Sequence, residues 1–246
     1  MEKIMKPLVP IGFETLVTGD GVFIKNILDG KTFKWISVKN LESNGIDRNG
    51  EFCQYGRRNF DASLHNFNLS VFEDPESEQF EQTVLKYGGF YISVDKFSSC
   101  NKSEAEHYAK KYLLGSIDAI STLPSGEAFD CMFEYIYELF REYVLTNKKK
   151  DETPYAAWNR IAEEHKEDFY KNGIWGIKDL MDGRNEHTSE KISGDEYCLY
   201  RGEHQMSLIS YLQAINLEDA SWSLGCRCIC ENFYAYFGYR IMILPK

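Results

Sequence analysis

Cys226, Cys228 and Cys230 alternate with single residues near the end of the chain. Thiolates gathered in this way could ligate a soft metal ion such as Cu(I). The alternation also fits a β-strand from Trp222 to Cys230, with all three thiols on one face and neighbours roughly 6.5–7 Å apart. Metal–sulfur bonds of about 2.3 Å require sulfurs closer together than that. The row therefore reads as small apolar side chains packed on one strand face. The remaining cysteines, Cys53, Cys100, Cys131 and Cys198, are irregularly spaced, and the total of seven is odd. That usage predicts free thiols in a reducing compartment rather than a disulfide scaffold.

The five histidines, His65, His107, His165, His187 and His204, show no H-x-x-x-H spacing. Glu186 and His187 adjoin, but in a strand neighbouring side chains point to opposite faces. Ser207 and Ser210 follow His204 without the G-x-S-x-G turn that exposes a hydrolase nucleophile. Asp179, Asp182, Asn185 and Glu186 place four oxygen-bearing side chains on one glycine-containing turn. Such oxygens suit a hard cation, and they equally suit a turn held by side-chain hydrogen bonds to the backbone.

The elements that would position these groups follow from local pattern. Val22–Ile24 and Phe33–Val38 have β-type composition, and Asp29-Gly30 between them signals a hairpin. Tyr87–Val94 reads as a strand, and Ser103 with Glu106 as the capping box of a helix reaching about Leu113. Ser125 opens a longer helix whose apolar stripe includes Ala128, Phe129, Met132, Ile136, Phe140 and Val144, a stripe that reads as core. Thr153-Pro154 caps a third helix, with Ala157, Ile161, His165 and Phe169 on one face. The last strands are expected at Tyr197–Arg201, Trp222–Cys230 and Tyr236–Leu244. This order of strands, then helices, then loops and strands predicts an α+β chain.

Bulk properties bound the function. The 246 residues are 43% hydrophobic, 27% charged and 15% aromatic, which fits a globular composition. A net charge of -10 argues against a nucleic-acid partner. The basic run Lys148–Lys150 is followed at once by Asp151 and Glu152 and reads as a solvated loop. No signal-peptide core follows Met1, and no stretch is apolar enough for a bilayer span. Cytoplasmic synthesis is expected, and assembly into a virion remains compatible with it.

Several segments, in order, resemble the formylglycine-generating-enzyme (sulfatase-modifying-factor) branch of the C-type-lectin fold. Phe33-Lys34-Trp35-Ile36-Ser37-Val38 resembles its opening F-x-W-I/V-P-V strand, with Ser37 in place of proline. Gly89-Phe90-Tyr91-Ile92-Ser93 resembles G-F-Y-I-S, although Val94-Asp95-Lys96 stands where the family writes R-Y-E. Leu123–Asp130 resembles L-P-T-E-A-E-W-E, and Ile174–His187 resembles I-Y-G-I-Y-D-M-S-G-G-x-N/W-E-Y/W. Tyr200-Arg201-Gly202 resembles x-R-G-G-S/Y, and Phe237–Ile241 resembles the terminal x-G-F-R-V. The similarity runs from about Val22 to Leu244. It implies one domain over residues 1–246, with a loop-rich insertion at about 39–86 and a helical one at about 148–171.

The resemblance implies a C-type-lectin fold with short mixed strands and two to three helices. The family's enzymes hold copper on a C-x4-C pair well before the final G-F-R, and that pair is missing here. The chain therefore reads as a non-catalytic ligand-binding protein without a cofactor, similar to phage or prophage proteins and to the variable proteins of diversity-generating retroelements. In the latter the segment before the final motif is displayed. Here that segment contains His204, Gln205, Tyr211, Gln213, Asn216, Trp222, Phe233, Tyr234 and Tyr236, rich in the aromatic and amide side chains of antibody-like contact surfaces. The implied partner is a protein or glycan, as on a host-cell surface. Relatives often hold Ca²⁺ near the turn that matches Asp182, Asn185 and Glu186, which makes these three the candidate calcium ligands. Arg201 and Arg240 are expected to be structural, Arg240 through a network with a buried carboxylate. The alternatives are a copper-dependent oxidase acting on a partner's cysteine through Cys226 and Cys230, and a structural particle component.

Overall fold

The computed structural model describes residues 7–38, 72–73, 76–179, 186–192, 198–202, 226–230 and 237–246. In chain order the strands are β1 (Phe13–Thr18), β2 (Gly21–Asn26), β3 (Thr32–Ser37), β4 (Phe72–Glu73), β5 (Gly89–Ser93), β6 (Phe97–Cys100), β7 (Ala119–Thr122), β8 (Glu186–Ile192), β9 (Cys198–Gly202), β10 (Cys226–Cys230), β11 (Phe237–Tyr239) and β12 (Met242–Pro245). The helices among these residues are α1 (Ser77–Tyr87), α2 (Lys102–Lys111), α3 (Gly126–Asn147) and α4 (Pro154–Asn172). The chain is α+β, as its sequence pattern predicts. Among the described residues no helix is long and apolar enough to cross a membrane.

The strands form two sheets. The first runs β1-β2-β3-β5-β12-β7, and the second β10-β9-β8-β11-β6 with β4 paired to β8. The central strands of the first sheet are covered on both faces, which is why β5 is buried at every position. One face carries Ile36, Phe90, Ile92, Met242 and Leu244 against Phe80 of α1, Phe129 and Phe140 of α3, and Trp158 and Ile161 of α4. The other carries Phe33, Trp35, Tyr91 and Ile243 against Ala105 and Ala109 of α2. The helix expected as an insertion thus supplies Ala157, Trp158, Ile161 and Ala162 to the main core.

Local chemistry explains most boundaries. The Ser125 and Thr153 side chains accept from the amides of Ala128 and Ala156 at the starts of α3 and α4, as their sequences predict. The capping box of α2 is formed instead by Asn101 and Glu104, two residues before the expected Ser103 and Glu106. Asn101 already offers an acceptor at the first position where the chain can turn into the helix, so Ser103 falls inside the first turn. The expected loop-rich excursion also ends in a helix: α1 buries Phe80, Thr83 and Val84 and stops at Gly88 in the left-handed conformation. The single strand expected over Tyr236–Leu244 is broken at Arg240–Ile241. Its first half belongs to the second sheet and its second half to the first.

The turn Ile174-Trp175-Gly176-Ile177 has positive φ at both central residues, 44° and 75°. Its ends exchange two backbone hydrogen bonds of 2.9 and 3.0 Å. Asn-Gly is the usual choice for such a turn. Trp175 holds the strained position through ring contacts with Phe140 and Phe169, each 5.8 Å between centroids. Gly176 lies against Phe23, where an added Cβ would come within 2.7 Å of the ring.

Gly89 of β5 has no room for a side chain. A Cβ there would sit 2.1 Å from the Ile36 carbonyl oxygen and 2.8 Å from the Trp35 ring. Gly89→Ala is expected to destabilise the fold by about 2–3 kcal/mol, the cost of overpacking a rigid core. Urea denaturation measures it, and a change within ~0.5 kcal/mol would mean that β3 and β5 separate freely.

Candidate functional site

The break between β11 and β12 carries a buried side chain with four hydrogen bonds. Arg240 is fully buried. Its Nη1 donates to the carbonyls of Ser93 (3.1 Å) and Val94 (2.9 Å), and its Nη2 to that of Lys178. Its Nε lies 3.1 and 3.3 Å from the two carboxylate oxygens of Glu186. The rigid guanidinium fork can serve these acceptors together, which a lysine ammonium cannot. The carboxylate that meets Arg240 is the buried Glu186, at the first position of β8.

Lys96 completes this centre. Its ammonium lies 3.2 Å from Glu186, and both side chains are only 7% exposed. Gly238 makes the approach possible, because a Cβ there would lie 2.4 Å from the Lys96 side chain. Lys96 stands where the sequence departs from the R-Y-E pattern, and that departure is the one signal of its role that the sequence offers. Glu186, a candidate calcium ligand by resemblance, therefore has its carboxylate between two cations. Asp182 and Asn185 lie outside the described residues. Among the described residues no group of three or more His, Cys, Asp or Glu side chains is placed to hold a metal ion.

His187 points the other way, as alternation requires. It is buried, packs against Phe237 (5.2 Å between centroids) and lies 2.8 Å from the Cys100 carbonyl through Nε2. Burial, with Lys102 nearby, lowers its pKa to about 4 against the pull of that hydrogen bond, so the ring is neutral and Nε2 donates. Another buried cation, Lys34 of β3, donates to the Asp20 carbonyl and lies 4.7 Å from the centre of the Phe23 ring. Desolvation lowers its pKa to about 8, with Asp20 acting in the opposite sense.

Beyond β8 the second sheet frames the predicted contact segment. β8, β9 and β10 pair antiparallel in sequence. Gly202 stands directly opposite Cys226, so residues 203–225 leave and re-enter the sheet at adjacent points. Residues 231–236 join β10 to β11. His204, Gln205, Tyr211, Gln213, Asn216, Trp222, Phe233, Tyr234 and Tyr236 all lie outside the described residues. Arg201 occupies β9 opposite Arg227. The strand expected at the cysteine row is present over Cys226–Cys230 and keeps unbroken register with β9. Cys226 and Cys230 are therefore about 13 Å apart along the strand, beyond a shared pair of metal–sulfur bonds. Register also sets Cys198 directly opposite Cys230, a juxtaposition that spacing along the chain does not reveal.

No protein-family model matches the chain, and no curated protein and no solved structure matches it.

Arg240→Met is expected to cost about 3–5 kcal/mol, because it takes from Glu186 one of its two cations and from three carbonyls a charged donor. Pairing it with Glu186→Gln should recover part of that loss in a double-mutant cycle followed by urea denaturation; additive effects would refute the coupling. His187 gives a pH signature. Between pH 6.5 and about 4 the unfolded chain binds a proton that the folded imidazole refuses. Stability should fall with pH across that window and level off below it, with up to about 3 kcal/mol traceable to this residue. His187→Phe should flatten the profile there, and an unchanged slope would assign the proton uptake elsewhere.

Proposed function

We propose that this chain is a non-catalytic ligand-binding protein that presents residues 203–225 and 231–236 from the edge of a C-type-lectin-type frame. One observation carries the reading: the direct opposition of Gly202 and Cys226. A long connection whose two ends are pinned side by side on a sheet can vary in sequence while the strands that hold it stay in place, and such connections often carry binding residues. The composition of this loop supports a contact role. Tyr211, Trp222, Phe233 and Tyr234 offer large, rigid, amphipathic surfaces, and Gln205, Gln213 and Asn216 offer adaptable hydrogen bonds.

The described centre has the arrangement of a structural latch: Glu186 faces two buried cations, Arg240 and Lys96, and Arg240 also donates to backbone carbonyls. In this reading the partner is a protein or a glycan on a cell surface, the setting is a phage or prophage particle, and the displayed face is open to diversification. The order of the matched motifs supports the lectin-type assignment of the frame.

The test replaces Tyr211, Trp222, Phe233 and Tyr234 together with alanine. The wild-type chain is first screened against a glycan array and against intact bacterial cells. Binding found there should weaken at least about 100-fold in the quadruple variant, as expected when several aromatic anchors are lost, while the thermal midpoint holds. Undiminished binding would overturn the assignment of the face. A wild-type chain that associates only with copies of itself would overturn the ligand-binding reading.

A further inference from the structure

We propose that Cys198 and Cys230 form a disulfide that locks β9 to β10. The two residues occupy directly opposed positions in the antiparallel register. Opposed residues in such a pair have Cα atoms about 4.5 Å or 5.5 Å apart, according to whether the pair exchanges hydrogen bonds. Both separations fall in the range that a disulfide spans, about 4.4–6.8 Å. Opposed residues also lie on the same face of the sheet.

Among the described residues the other thiols do not compete on equal terms. Cys228 stands opposite Tyr200 and Cys226 opposite Gly202, so each meets Cys198 only diagonally or farther away. Diagonal neighbours are about 7–8 Å apart, beyond disulfide reach. Cys100 and Cys131 are buried thiols in no disulfide, Cys100 in the cluster beside α2 and Cys131 in the core under α3. Burial raises the Cys100 thiol to about 11, which keeps it protonated and unreactive at neutral pH.

The reaction is a two-electron oxidation. One thiolate attacks a low-molecular-weight disulfide such as oxidised glutathione, releasing one glutathione thiol and leaving a mixed disulfide. The second cysteine, once deprotonated, displaces the other glutathione, so that two protein thiols become one S–S bond and two glutathione thiols form. The bond would close the end of the β9–β10 pair opposite Gly202–Cys226. It is a property of the sheet and does not depend on what residues 203–225 bind.

The full-length chain is reduced, freed of reductant and incubated natively with oxidised glutathione. Intact mass should fall by about 2 Da, the loss of two hydrogens that accompanies one S–S bond, and titratable thiols after denaturation should drop by two. Proteolysis without reduction should yield a peptide containing residue 198 joined to one containing residue 230. The oxidised protein should melt about 5–10 °C above the reduced one. Cys198→Ser and Cys230→Ser should each abolish the bond, and Cys131→Ser should leave it intact. Peptide mapping of the wild type stands even where a variant fails to fold. Seven free thiols after oxidation, a stable mixed adduct, a bond between any other pair, or stoichiometric zinc or copper retained on these thiols would each overturn the proposal.

Discussion

A guanidinium withdrawn completely from water must find compensation for its charge and its five donors, and at Arg240 that requirement ties four separate stretches of chain together. The acceptors come from the end of β5, from residue 178 after the Trp175-Gly176 turn, and from the first residue of β8. Arg240 itself sits where the chain passes from the second sheet to the first. Each sheet could satisfy its own backbone without the other, but neither could satisfy this side chain alone. The relative placement of the two sheets is therefore fixed by polar geometry as well as by apolar contact. The Ile241 amide, bonded to the Ser93 hydroxyl at 3.2 Å, continues the same seam.

The apolar side of the fold is shared out by alternation. On the central strands odd and even positions feed two different cores, so Phe90 and Ile92 meet the long helices while Tyr91 meets Trp35 and the other face. A strand serving two cores shows continuous hydrophobicity, and β5 has it. The long helix α3 announces itself by its stripe, from Phe129 and Met132 through Ile136 and Phe140 to Val144, because periodicity is a local property. The caps at Ser125 and Thr153 are equally local. The start of α1 has no side-chain cap at Glu76, so the spacing of Phe80 and Val84 lacks a start signal and reads as loop.

What the sequence does not disclose is tertiary. Nothing in Tyr236–Leu244 says that its halves belong to different sheets, since the break is imposed by the partners of Arg240 rather than by a glycine or proline. The buried carboxylate expected for Arg240 is Glu186, 54 positions away, and Lys96 joins it from a third place in the chain. Register is similarly invisible: alternation assigns the cysteine row to one face of a strand, yet its opposition to Cys198 depends on how β9 aligns. The predicted contact residues lie in the part of the chain that the described structure frames without including.

The pairing of Glu186 with Arg240 makes a ring of the intervening polypeptide. In polymer terms the entropy of closing a ring grows only with the logarithm of its length, so doubling that length costs only about 0.6 kcal/mol. A chain fastened in this way separates two kinds of change. Changes in the length of the connections within the ring cost the frame little, whereas alterations at the clasp are felt throughout it. The sequence can thus drift, lengthen or be rewritten in one place while the architecture is inherited unchanged in another.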